Sequence, residues 1–165
     1  MNVFVLDEDM VKSAMYTCDK HVVKMITEHV QLLSSAYYFT DQSELSPYKL
    51  SHQNHPIAKW VRESRDNWTW LRIYTLVLYG EYKFRYHNRN HRAGELARCL
   101  KTPNLPKIGM TRMALAMPEQ YKVDSVVQSY RNYYIGEKLP IIHYTNRELP
   151  YWLANHLEAY RRSLL

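Results

Sequence analysis

The chain reads as an all-α protein, a single compact helical domain over residues 1–165 with irregular, proline-containing connectors. Three observations predict this. Glycine is scarce, with 4 in 165 residues. Apolar side chains recur at helical spacing along most of the sequence. A chain this long buries about two-thirds of its unfolded surface, enough for a core without disulfide or metal. There is no internal repeat, no low-complexity tract and no composition shift that would mark a second domain.

The elements follow in order. Val3-Phe4-Val5-Leu6 is a short extended apolar stretch, equally readable as a lone strand. Asp9 is placed to cap a first helix to about Tyr16. A second helix runs from about Asp19 to Phe39, and Asp41 to Gln53 is a polar loop. His55-Pro56 opens a long helix to about Tyr86, because proline tolerates the first helical turn, where its missing N–H costs nothing. Asp66-Asn67 could interrupt it by capping a new helix. Ala93 to Leu100 is a short helix, and Thr102 to Pro118 an irregular connector. Asp124 caps a helix to Tyr134, with Gly136 in the C-cap position. Pro140 to Pro150 is irregular again, and a last helix reaches about Arg162.

Charge bounds the partner. The chain carries 22 Lys and Arg against 16 Asp and Glu, a net +6, which favours a polyanion such as nucleic acid. Aromatics are mostly those with a polar handle, 15 Tyr and 4 Trp against 3 Phe, suited to surfaces apolar on one side and wet on the other. The two cysteines, Cys18 and Cys99, form no CxxC pair, and a reduced, intracellular (cytoplasmic) protein is expected. The N-terminus has no basic segment, and the apolar stretch Trp68 to Tyr82 contains Arg72 and Glu81. Neither a signal peptide nor a membrane span is expected.

Four constellations could carry chemistry. On the second helix, His21, Lys24, Glu28 and Gln31 fall within roughly an 80° arc, with Lys20 adjoining and Val22, Val23, Ile26, Val30 and Leu33 on the core side. An imidazole, ammonium groups and one carboxylate on a wet face could hold a phosphate and move a proton. The plain alternative is a solvated face with Lys24–Glu28 pairing. Next, Asn54-His55 at the helix start could bind an anion or simply cap the helix. Arg85, His87, Arg89, His91 and Arg92 form a donor patch for phosphates, or complement the helix dipole. His87 and His91, four apart, would suit a metal only if both lay on one helix face. Lastly, Tyr130, Arg131, Tyr133 and Tyr134 interleave aromatics with a cation, a stacking pattern that is equally a core stripe. There is no Gly-rich phosphate loop, GxSxG elbow, HExxH or acidic cluster for two-metal chemistry. No metal or cofactor is called for.

Met1-Asn2-Val3-Phe4, the Lys24/Glu28/Gln31 helix, and His55-Pro56 with Trp60 soon after together resemble the pyrimidine-dimer DNA glycosylase family, the phage endonuclease V type. The likeness spans about residues 1–92, with a weaker echo in Tyr130 to Lys138. It implies a compact all-α enzyme that splays a nucleotide out of duplex DNA. An N-terminal α-amine would attack the sugar C1′ and form an imine, and a helix-borne glutamate would assist base loss and β-elimination. An ordinary α-amine, with a pKa of about 8, is neutral far more often at pH 7 than a lysine.

By position, Glu28 matches the catalytic carboxylate, and Lys20, His21 and Lys24 match phosphate-holding positions. One departure matters. Asn2 is larger than the residues that usually permit removal of an initiator Met, so the amine is that of Met1, or Lys24 takes over, or the lyase step is absent. His21 also stands where the family tends to have arginine. The resemblance implies base excision with AP-lyase activity on damaged or modified bases, with DNA as partner and no obligate protein partner, in a monomer. Its rivals are a sequence-neutral DNA binder without chemistry and a metal-dependent nuclease using His87 and His91.

Overall fold

The structure is a computed structural model that describes all residues, Met1–Leu165. It is all-α, with no strand. The helices are α1 (Met10–Tyr16), α2 (Asp19–Ser35), α3 (Pro56–Glu63), α4 (Arg65–Arg85), α5 (Arg92–Cys99), α6 (Val126–Glu137) and α7 (Tyr151–Arg162). No helix is long and apolar enough to cross a membrane.

Local chemistry explains most helix ends. The Asp9 carboxylate accepts the Val11 and Lys12 N–H groups at 2.8 and 2.9 Å and starts α1. Pro56 opens α3, and the His55 Nδ1 accepts the Ile57 N–H at 3.2 Å, so His55 caps the helix. The single long helix expected from Pro56 to Tyr86 is two helices. Their break lies at Ser64 rather than Asp66-Asn67, because Ser64 is extended and satisfies two groups at once. Its hydroxyl accepts the Asp66 N–H at 3.1 Å and donates to the Gly109 carbonyl at 2.5 Å. Similarly Ser125, not Asp124, caps α6 by accepting the Gln128 N–H. Gly136 lies inside α6 rather than beyond it. A Cβ there would meet the Tyr121 ring at 2.3 Å, so this glycine permits a close approach, not a C-cap.

Helices α2 and α4 pack along the centre, with α1, α3 and α5 against them, while α6 and α7 pack on each other. The core between them holds Ile26, Val30, Leu33, Ile57, Val61, Trp68 and Leu71, all without solvent exposure. Val23, expected on the core side of α2, is instead exposed. The opening Val3–Leu6 stretch pairs with no strand yet is wholly buried. Buried backbone needs partners, and side chains supply them. Tyr74 OH donates to the Phe4 carbonyl at 2.7 Å, Ser13 Oγ accepts the Leu6 N–H at 2.9 Å, and Arg131 Nε donates to the Leu6 carbonyl at 2.8 Å. The N-terminus is therefore a fixed, straight rod laid on the helices.

Candidate active site

That rod runs antiparallel to α2, and its register delivers the chain start to Glu28. Phe4 stacks on His21, with ring centroids 4.3 Å apart. From Phe4 back to Met1 is about 10 Å of extended chain, and from His21 to Glu28 about 10.5 Å of helix rise. The two lengths match, so the first residues meet the Glu28 carboxylate two helical turns beyond the stacked pair.

At that meeting point, Glu28 Oε2 accepts the Asn2 N–H at 3.0 Å and stands 3.8 Å from the Met1 amine. The other oxygen, Oε1, lies 3.3 Å from Lys24 Nζ. The Glu28 side chain is only 12% exposed, whereas Lys24 extends into solvent at 65%. The Met1 side chain is 4% exposed although the residue as a whole is not buried, so what Met1 shows to solvent is its main chain. His55 borders the group, close enough to feel the charges of both the amine and Glu28. Burial, then the positive charge of the amine and His52, hold the His55 pKa below the ordinary histidine value, against the pull of the Met1 backbone and Glu28. A neutral imidazole, a carboxylate and an α-amine thus converge, which is equipment for a nucleophile with adjacent proton transfer.

Asn2 fixes the geometry from behind. Its Nδ2 donates to the Ala116 carbonyl at 2.8 Å, and its Oδ1 accepts from Tyr130 OH at 3.0 Å and from the Val3 N–H at 2.9 Å. With the side chain tied at both ends, the peptide linking Met1 to Asn2 is oriented by three separate parts of the fold.

Several expected surface residues turn out to be interior. His21 is 7% exposed, its Nδ1 is 2.7 Å from Tyr134 OH, and burial pushes its pKa down to about 3. The stripe is therefore not wet along its length: His21 is packing, and it cannot hold a phosphate as a cation. Tyr130 and Tyr134 are fully buried, so the core reading of that stripe holds and base stacking does not. Arg131 pairs with Asp7 at 3.1 Å and straps Leu6. Arg85 is a lattice member rather than a phosphate donor. It is 1% exposed, 2.7 Å from Glu81 and 2.8 Å from Asp19, and Arg147 closes on Glu81 at 2.8 Å. The helical relation needed for a His87–His91 metal pair is absent, since α4 ends at Arg85 and His87 adopts a left-handed turn with φ 53°. His91 instead lies 3.0 Å from the Val23 carbonyl. No group of three or more His, Cys, Asp or Glu side chains is arranged to hold a metal ion.

What remains on the surface is cationic. Lys20, Lys24, Arg89 and Arg92 are exposed, as are Asn54 and His87. The His91–Val23 contact brings the 87–92 segment onto α2 beside the lysines. Lys138, the end of the Tyr130 to Lys138 segment, adds a cation: with Lys24 and Lys20 it bears on the His21 ring, and its Nζ donates to Tyr133 OH at 3.2 Å. Asn2 and the Ala116 carbonyl were not foreseen. No local pattern marks them, because their roles depend on segments more than a hundred residues apart.

The sequence profile of the pyrimidine dimer DNA glycosylase family matches residues 1–94, more than half of the chain. The chain belongs to this family. No curated protein and no solved structure matches it. Membership makes this a DNA repair glycosylase at the family level, with DNA as the family's substrate. Met1, Asn2, Lys24, Glu28 and His55 all fall inside the matched region, whereas Ala116, Tyr130 and Lys138, which support or border the group, lie outside it.

Proposed function

We propose that this glycosylase excises damaged bases through an amine nucleophile at the chain start and then cleaves the strand as an AP lyase. The single observation that carries this reading is one carboxylate oxygen, Glu28 Oε2, within 3.0 Å of the Asn2 nitrogen and 3.8 Å of the Met1 amine. The neutral Met1 amine attacks C1′, the glycosidic bond breaks, and the base leaves with the electron pair and a proton. The amine supplies the proton that leaves with the base and passes its second to O4′ as the sugar ring opens to the imine. Glu28 then accepts the C2′ proton, and the 3′ phosphate departs by β-elimination. His55, uncharged beside the amine, is placed to relay a proton. Lys20, Lys24, Arg89, Arg92 and Lys138 hold the phosphates.

A second reading of the nucleophile rests on distance. The Asn2 nitrogen is nearer the carboxylate than the Met1 amine, so loss of Met1 would place a new α-amine within hydrogen-bonding reach of Glu28. Lys24 is the third amine on the same carboxylate. Borohydride trapping on an abasic duplex, followed by peptide mass mapping, separates the three. An adduct on the N-terminal peptide is expected, with its mass telling Met1 from Asn2. An adduct on Lys24 moves the nucleophile, and absence of both adduct and strand cleavage on abasic and dimer-containing duplexes overturns the proposal in favour of a binder without chemistry.

A further inference from the structure

The connector between α5 and α6 carries two of the most exposed large apolar side chains away from the chain ends, Ile108 at 64% and Met110 at 54%. A floppy loop would bury or scatter them. This one is pinned at close intervals instead. Pro106 O accepts the Arg65 N–H at 2.9 Å, Gly109 O accepts from Ser64 Oγ at 2.5 Å, and Thr111 O accepts the Trp60 indole N–H at 3.2 Å. Asn67 holds Thr111 from the other side, its Oδ1 accepting the Thr111 N–H at 3.0 Å. Gly109, between the two apolar residues, takes φ 83°, a conformation that favours glycine. The ridge is preorganised, and it has no cover.

Its position and charge identify what it meets. The connector runs along α3 toward the site and ends on it, where the Ala116 carbonyl receives the Asn2 side chain at 2.8 Å. Met110 is thus about 20 Å of fully extended chain from Ala116, a reach of about six base steps at 3.4 Å each. Exposed Lys107 and Arg112 flank the pair. Arg112 is engaged only at the rim, 3.1 Å from the Asp124 carbonyl and 3.9 Å from its carboxylate, and Glu63 is taken up by Thr111. An apolar tip between cations suits the stacked interior of a duplex bordered by phosphates; isoleucine and methionine are among the side chains that wedge between base steps and kink DNA.

We infer that Ile108 and Met110 form a wedge that inserts between base steps beside the lesion and holds the duplex open for the site. The inference rests on the proposed base-excision reading for its location. It concerns residues beyond the region matched to the family.

The test uses full-length protein and a duplex with one site-specific thymine dimer, with 2-aminopurine at neighbouring positions to report unstacking. Wild type and Glu28→Gln should both raise the fluorescence, since wedging precedes chemistry. The double variant Ile108→Ser, Met110→Ser should abolish the rise and slow single-turnover nicking at least tenfold on the paired duplex. On the same dimer in an unpaired bubble, where no step needs opening, its rate should stay within about threefold of wild type. Both side chains are exposed, so circular dichroism and Tm should be unchanged. No rise in wild type, a rise that survives the double substitution, or equal losses on paired and bubble substrates overturns the wedge. Fluorescence rise without nicking by wild type leaves the wedge standing and removes the base-excision reading, and nicking without a wedge-dependent rise does the reverse.

Discussion

The Asn2 backbone N–H donates to Glu28 Oε2 at 3.0 Å while the Met1 amine stands 3.8 Å from the same oxygen. The carboxylate therefore positions the chain start through a peptide bond and keeps reach of the amine. Glu28→Gln preserves an acceptor for Asn2 but removes the proposed base. It should lower single-turnover cleavage of dimer-containing duplex by about 10²–10⁴, with DNA affinity within a few-fold of wild type. Adding Gly-Ser before Met1 turns the amine into an amide. Borohydride adducts on Met1 should then vanish while filter binding is retained; an extended protein that still traps DNA on an internal peptide would exclude the N-terminal nucleophile.

His55 has two jobs on opposite sides of its ring. Nδ1 caps α3 through the Ile57 N–H, and the imidazole borders the Met1 amine and Glu28. Two substitutions separate them. His55→Asn keeps a good cap and should hold Tm while lowering the cleavage rate. His55→Ala loses both, with a cap cost of about 0.5–2 kcal/mol visible in urea unfolding. Equal activity in wild type and His55→Asn would reduce His55 to a cap.

The fold and the carboxylate were legible because both rest on local signals. Periodicity marks the helices, and the Lys24–Glu28 spacing needs only one helix. The proline at position 56 and Asp9 each announce a helix start in their own chemistry. What sequence could not separate was wet from dry. His21 and Lys24 share a helical face, yet His21 lies under Phe4 and against Tyr134, and Lys24 extends into solvent. Arg85 and Arg92 look alike as letters. Only the fold places two carboxylates, Glu81 and Asp19, on the first. The Ser64 break was missed because a serine cap competes with an equally good Asp-Asn pair two residues on, and the Gly109 carbonyl decides it.

Arg85 and Arg92 should consequently behave as opposites. Removing the buried Arg85 takes a cation from both Glu81 and Asp19 and leaves them only Arg147, and His143 with Thr145; loss of one partner of a buried ion pair costs up to about 3–5 kcal/mol. Arg85→Ala should unfold at markedly lower urea. Arg92→Ala should leave stability unchanged and weaken DNA binding across sequences, lowering the salt slope by about 1. A stable Arg85→Ala with a reduced salt slope would return this arginine to the DNA surface.

Stability should fall on mild acidification, and two histidines set the window. Burial pushes both His21 and His29 down to about 3 from 6.5. His29 is fully buried, with Nε2 unpartnered and Nδ1 3.3 Å from the Thr75 hydroxyl. Above about pH 6.5 both are neutral whether folded or not, so stability is at its plateau. Below it the unfolded chain binds protons that the folded chain refuses, so stability declines as pH falls toward 3. Each histidine contributes up to about 1.4 kcal/mol per pH unit. Asp19 and Glu81 join only lower down. Burial opposes their ionisation, but Thr145 and His143 at Asp19 and Arg147 and Arg85 at Glu81 overcome it, so their contribution is lost below the ordinary carboxylate range. Urea titrations should be flat from pH 8 to 7 and steepen below 6. His29→Leu removes one titrating group and leaves the Thr75 hydroxyl its bond to the Leu71 carbonyl. The slope between pH 6 and 5 should then become shallower by one histidine's share; an unchanged slope would show that His29 takes no part in it.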